Sequence, residues 1–209
     1  MTISKFSLSI QKRIFDVLGS MILILLIWPL FILVGLSILI SSGRPIIFCQ
    51  KRTGLNKKIF TIYKFRTMVT DAEKRKEKLL GQNEAPGPMF KISHDPRFIG
   101  LGRFLSQSGL DEIPQLLNIL KGEMSLVGPR PLPVEESSRL PKNWDFRFAV
   151  KPGIFSYWTL DDKRHESMKE WRELEAATIK ISSLRHEARL IVRVLIHQLA
   201  NIIRKFLVF

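Results

Sequence analysis

Between Gly109 and Pro131 the chain reads GLDEIPQLLNILKGEMSLVGPRP, which sets two neighbouring carboxylates, Asp111 and Glu112, just ahead of an apolar helix and a loop stiffened by Pro129 and Pro131. Residues one apart do not share a helix face. The pair therefore suits two tasks, one carboxylate attacking and the other holding a cation, and the setting points to phosphate chemistry. Taken alone, the four letters DEIP read first as a structural helix start, with Asp111 as N-cap, Glu112 in the first turn and Pro114 where no amide donor is needed. The short fixed distance to GEMSLVGPRP, and the basic KFRTM block (Lys64 to Met68) upstream, add weight to the chemical role.

The elements that must position these groups are short. IIFCQKR and KKIFTIYKF, rich in β-branched and aromatic residues, predict strands around a turn at Gly54 to Asn56. Asp71 to Leu80 predicts an exposed helix, Gly81 to Pro88 a loop, and Asp95-Pro96 a turn from which a short helix opens over Phe98 to Leu105. From Glu166 to Lys205 the sequence is helix-compatible. Near its end Arg185, Arg189, Arg193 and His197 recur every fourth residue opposite Leu190, Val194, Leu195, Leu199 and Ile202. Such a helix either lies in a headgroup region or packs on the core with its basic face outward. Internal repeats, a Walker-type glycine loop and a Cys/His set with zinc spacing are all absent from the sequence.

Residues Met21 to Ile40 carry no charge and approach the length needed to cross a bilayer as a helix. The run is too long for a secretory signal, and no small-residue cleavage pattern follows it. Pro29 near its middle predicts a kink. Lys5, Lys12 and Arg13 precede the run and Arg44, Lys51 and Arg52 follow it, so the positive-inside tendency asks for both ends on the cytosolic side. A helix broken at Pro29 that dips into one leaflet and returns satisfies both ends; a straight span satisfies one. The net charge of +14, from 33 Lys and Arg against 19 Asp and Glu, implies an anionic partner: nucleic acid, phospholipid headgroups or a phosphorylated substrate. One cysteine, Cys49, excludes an intrachain disulfide and fits a reducing compartment.

Together with FCQKRTG (Phe48 to Gly54) and FKISHDPRF (Phe90 to Phe98), the KFRTM and DEIP-to-GPRP blocks resemble the bacterial sugar transferase family, the monotopic phosphoglycosyl transferases of glycoconjugate assembly. The resemblance is close from about Lys12 to Pro133 and weaker beyond. It implies an α+β, mainly helical fold: a re-entrant membrane helix broken at Pro29 (residues 1–44), a compact cytosolic catalytic core (45–165) and a helical, amphipathic C-terminal region (166–209). At this length it leaves little room for the multi-span N-terminal module of longer relatives. The implied setting is the bacterial inner membrane, with phospholipids as neighbours and a homodimer left open.

The reaction implied by the resemblance moves a sugar-1-phosphate from a UDP-sugar to undecaprenyl phosphate and releases UMP. Asp111 is then the nucleophile that forms an acyl-phosphate, and Glu112 the ligand of Mg²⁺. Lys64, Arg66, Arg97 and Arg130 match family positions near the site. Three departures stand out. The family commonly places an arginine five residues before the nucleophile, where this chain has Ser106, so Arg103 is the nearest cation to take over, with Lys163 and Arg164 further off. After Pro152-Gly153-Ile154 the family's PGITGLAQVxGR-like segment gives way to FSYWTLDDKR, where Lys163 or Arg164 stands in for the terminal arginine. The residue before Pro29 is Trp28, where the family usually has serine. These departures keep open a non-catalytic relative that binds lipid or an assembly partner. A membrane-tethered nucleic-acid binder would account for the charge but leaves the LDE-to-GPRP block unexplained, so nucleic acid is not an expected partner.

Overall fold

The computed structural model describes residues 3–161 and 166–207. Its longest element is α1, Ile10–Ser42, started by Ser9, whose hydroxyl accepts from the Lys12 amide at 3.1 Å, and ended by Gly43 with φ of 67°. The sequence predicts a break at Pro29. Instead the helix continues through Pro29 as one element, so no non-helical residues separate its halves.

Both halves of α1 lie on the same folded body. Phe15, Leu23, Ile24 and Ile27 pack on a core containing Ile62, Ile119, Met124, Leu126, Leu190 and Val194. Further along, Leu30, Phe31, Val34 and Ile38 pack against Phe65 and Leu105. The opposite face, including Leu18, Ile22, Leu25, Leu26, Trp28, Leu33 and Ile40, is exposed. An uncovered apolar stripe of this length asks for a partner other than water.

Each end of α1 is clamped. At the start, Lys12 Nζ sits 2.7 Å from Asp16 and 2.6 Å from Glu187, while Arg13 donates to the carbonyls of Ile119 (2.6 Å) and Leu120 (2.8 Å). At the finish, Arg66 donates to the carbonyls of Ser42 (2.6 Å), Gly43 (2.9 Å) and Arg44 (2.9 Å). Terminal helix carbonyls lack intrahelical donors, and a cation there also meets the negative pole of the helix. Arg66→Ala is therefore expected to cost about 2 kcal/mol of stability or more, since hydrogen bonds to a charged group contribute roughly 1.5–3 kcal/mol each. Denaturant unfolding in detergent checks this, and an unchanged midpoint contradicts the clamp.

The expected hairpin forms from β1 (Ile47–Thr53) and β2 (Ile59–Phe65), antiparallel with Ile47 opposite Phe65 and Thr53 opposite Ile59. Successive strand residues face opposite sides. Phe60, Ile62 and Lys64 therefore share a face of β2; the first two are buried in the core and the third carries its ammonium to the carboxylates. The helix α2 (Ala72–Lys78) falls inside the predicted segment. By contrast α3 (Gly102–Ser108) starts four residues later than predicted, because Phe98 bridges to Met68 and the Ile99 amide bonds Thr67 O at 3.0 Å. Beyond α4 (Leu116–Leu120) come β3 (Ser125–Val127) and β4 (Leu132–Pro133), the latter pairing with the free side of β1. After α5 (Val134–Ser138), β5 (Gly153–Phe155) runs parallel to β3. A Cβ on Gly153 would lie 2.1 Å from the Gly128 nitrogen, so only glycine allows these backbones to approach.

The C-terminal region is two helices, α6 (Met168–Lys180) and α7 (Leu184–Leu207). Of the residues expected opposite the cationic stripe of α7, Leu190 and Val194 are buried in the core, while Leu195 and Leu199 are exposed beside Val192, Ile196 and Ile203. Core packing thus takes one narrow stripe, and a second apolar face stays uncovered.

Candidate active site

Gly109, left-handed at φ of 76°, ends α3 and turns the chain into a 3-10 segment, Leu110–Gln115, with Asp111 and Glu112 in its first turn. Asp111 is not the N-cap that DEIP suggests: Gly109 holds that place, and no side chain caps the segment. Although adjacent, the two carboxylates converge on one cation. Lys64 Nζ is 2.7 Å from Glu112 Oε1 and 3.6 Å from Asp111 Oδ2, and Arg130 Nη1 is 3.2 Å from the same Glu112 oxygen.

Their environments push the two acids apart. Burial first, and then the charge of Glu112, lifts Asp111 to about 6 against the pull of Lys64. Burial acts on Glu112 in the same sense, but Lys64 and Arg130 outweigh it and hold Glu112 at about 2. Paired acids separated in this way mark the division of roles seen in acid–base and nucleophilic sites. Glu112 is the fixed anion and Asp111 the tunable one.

Arg130 is held through both its side chain and its backbone. Its guanidinium lies 4.9 Å over the Trp158 ring, a cation–π contact, while its amide donates to Glu175 Oε1 at 3.3 Å. Its carbonyl accepts from Arg147 Nη2 at 2.6 Å, and the next carbonyl, of Pro131, accepts from Arg52 Nη1 at 3.0 Å. Glu175 is fully buried and also takes Arg147 at 2.9 Å and Trp171 Nε1 at 3.0 Å. Burial, and then the charge of Arg130, pushes Arg52 down to about 10. Sequence reasoning missed Arg52, Arg147, Trp158 and Glu175 as site residues. Only Arg52 carried a signal, lying in the FCQKRTG block. Gln115, 1% exposed and one turn past Asp111, was missed too, and its carboxamide has no hydrogen-bond partner among the described residues.

The remaining candidates lie elsewhere. Arg66 clamps α1 and does not join the carboxylates. Arg97 donates to Asp95 from Nε (2.9 and 3.2 Å) and Nη2 (2.7 Å) and to the Ala72 carbonyl (3.2 Å), which fixes the 90–98 segment to α2. Arg103 acts electrostatically on Asp95, whose carboxyl is opposed by burial but kept low by Arg97 and Arg103. Arg52, in contrast, helps hold Glu112 ionised. Lys163 and Arg164 lie outside the described residues.

A buried aspartate beside a lysine-held glutamate, with an arginine loop over them, thus forms one charged cluster on a body that also carries a long apolar helix. Residues 7–201 match the model of the bacterial sugar transferase family, and the chain belongs to that family. It is 40% identical over 163 residues to the galactosyl transferase CpsE of Streptococcus agalactiae, covering 77% of this chain and 36% of that protein. It is 35% identical to an undecaprenyl-phosphate galactose phosphotransferase of Salmonella typhimurium, over 77% of this chain and 34% of the other. The exopolysaccharide production protein ExoY of Sinorhizobium fredii is 35% identical over 76% of this chain and 72% of its own length. The chain thus spans about a third of the first two relatives and most of the third.

Proposed function

We propose that this protein transfers a sugar-1-phosphate from a UDP-sugar to undecaprenyl phosphate, as a membrane step of polysaccharide or glycoconjugate assembly. The single observation that carries this reading is the convergence of Asp111 and Glu112 on Lys64, with Arg130 on the same Glu112 oxygen. A carboxylate lifted by burial is poorly solvated and so a better nucleophile, while the cations beside it attract a diphosphate. Asp111 Oδ attacks the β-phosphorus, the bridging P–O bond breaks, and UMP leaves with the bridging oxygen. The acyl-phosphate then carries the sugar. An oxygen of undecaprenyl phosphate attacks the same phosphorus, frees the Asp111 carboxylate and yields the diphospho-linked lipid sugar. The two acceptors use one site in turn, which predicts ping-pong kinetics.

Mg²⁺ fits the donor set present. Glu112 Oε1 takes both cationic contacts, and Oε2 has no partner among the described residues. One carboxylate with waters and substrate phosphates is a usual Mg²⁺ environment. Glu112 would hold the ion, which supplies charge neutralisation of the diphosphate and the leaving group when bound.

With α1 unbroken at Pro29, what its two clamps support is the placement of both its ends on the same side. A 33-residue helix is about 50 Å long, well over the roughly 30 Å hydrocarbon core, yet both of its ends are fastened to one folded body. The exposed face of α1 and the outer face of α7 then meet lipid while both termini stay cytosolic. Cysteines placed at Lys5 and Ser41 in a Cys49→Ser background should both label from the cytosolic side; labelling from opposite sides contradicts the topology. The activity itself is tested by incubating the full chain in detergent with a panel of UDP-sugars, Mg²⁺ and undecaprenyl phosphate. UMP release with at least one sugar is expected, and none with any sugar overturns the reading.

A further inference from the structure

A cavity of about 280 Å³ opens at the start of α1, and none of its walls comes from Asp111, Glu112, Lys64 or Arg130. Lys12, Arg13, Ser125, Gly128, Lys151 and Ser182 are among the residues that line it. Its size suits a small polar headgroup.

The charges inside it are unevenly satisfied. Asp16 Oδ1 accepts from Lys12 (2.7 Å), the Ser125 hydroxyl (3.0 Å) and the Leu126 amide (3.0 Å). Glu187 accepts from Lys12 through one oxygen (2.6 Å) and from the Ser182 hydroxyl through the other (2.5 Å). Both acids are thus turned to Lys12 and the hydroxyls, and neither makes an ion pair with Arg13 or Lys151 among the described residues. Arg13 bonds only carbonyl oxygens, and Lys151 makes no hydrogen bond or ion pair among the described residues. The two converge: the point a Cβ would occupy on Gly122 is 3.6 Å from Arg13 Nη2 and 3.8 Å from Lys151 Nζ. Burial, and then the charge of Arg13, lowers the Lys151 pKa, with Asp16 opposing the fall and Lys12 adding to it.

The rim is apolar. Leu8 and Ile10 are 64% and 80% exposed, and the uncovered face of α1 continues from them through Ile14, Leu18 and Ile22. A ligand that fits both parts carries a phosphate at one end and hydrocarbon at the other. We propose that this cavity binds the headgroup of an anionic phospholipid, with the phosphodiester between Arg13 and Lys151 and the acyl chains along the exposed face of α1. The inference is independent of the reaction proposed above, because its readout is binding.

The test uses the full chain in neutral detergent, titrated with dihexanoyl phosphatidylglycerol, dihexanoyl phosphatidylcholine or inorganic phosphate, and read by native mass spectrometry and thermal midpoint. One phosphatidylglycerol per chain and a saturable rise in midpoint are expected, with neither from phosphatidylcholine or inorganic phosphate at equal concentration. Lys151→Gln should weaken binding at least tenfold without moving the ligand-free midpoint, and Lys151→Arg should retain it. Equal binding of the two lipids, a Lys151→Gln titration matching wild type, or a midpoint rise reproduced by inorganic phosphate alone overturns the proposal. Should Lys151→Gln prove unstable, failure of Lys151→Arg to bind while folded serves as the contradicting result.

Discussion

Asp111→Asn is expected to reduce UMP release at least about a thousandfold while leaving the fold intact, because an amide of the same shape cannot form the acyl-phosphate. The pH profile of the wild type follows from the same residue. Asp111 must be ionised to attack, and burial lifts it to about 6. Donor kcat/KM should therefore fall as pH drops through about 6, about tenfold for each unit below it. Glu112, held at about 2, stays ionised across that range. Lys64 pulls Asp111 downward, so Lys64→Gln should move the acid limb to higher pH. An acid limb that is unmoved in Lys64→Gln, or absent in the wild type, contradicts the assignment.

The second large effect is expected behind the site. Glu175→Ala leaves the Arg147 guanidinium buried without its carboxylate and frees the Arg130 amide, so a loss of about 3–5 kcal/mol is expected on unfolding. The pair is imperfectly satisfied, with Arg147 Nη1 and Glu175 Oε2 buried without partners among the described residues. A double replacement, Arg147→Met with Glu175→Leu, should then recover most of the stability, as apolar substitutes for buried ion pairs often do. It cannot restore the bond to the Arg130 carbonyl. Turnover per folded molecule should stay about 10- to 100-fold down, with kcat affected more than KM. Recovery of both stability and kcat would show that the pair does not position Arg130.

The parts of the site legible in the sequence are those whose signal is local. The Asp-Glu pair, the cation one residue before the end of a predicted strand and the arginine between two prolines all sit in short blocks, and the structure brings Lys64, Asp111, Glu112 and Arg130 together. Strand alternation even explains why Lys64 faces inward. It fails at Arg66, which lies one residue past the end of β2 and follows the chain to the α1 carbonyls. Long-range pairings were invisible. Lys12 and Glu187 are 175 positions apart, and Glu175 in ELEAATIK reads like any solvated helix charge, yet both acids are buried. Asp111 read as a cap because Asp before an apolar helix usually is one; the left-handed Gly109 takes the turn instead. The apolar run at residues 21–40 was plain, but its continuity through Pro29 depends on packing along both halves, which no local pattern encodes.

The covalent step can be observed directly. Intact-mass spectrometry of the wild-type chain, incubated with its UDP-sugar and Mg²⁺ but without undecaprenyl phosphate, should show a mass increase equal to one sugar-phosphate, matched by one UMP per chain and removed when the lipid acceptor is added. Asp111→Asn should show no increase. An adduct that persists in Asp111→Asn, or UMP that appears only once the acceptor is present and with no adduct at any time, would contradict the double-displacement mechanism.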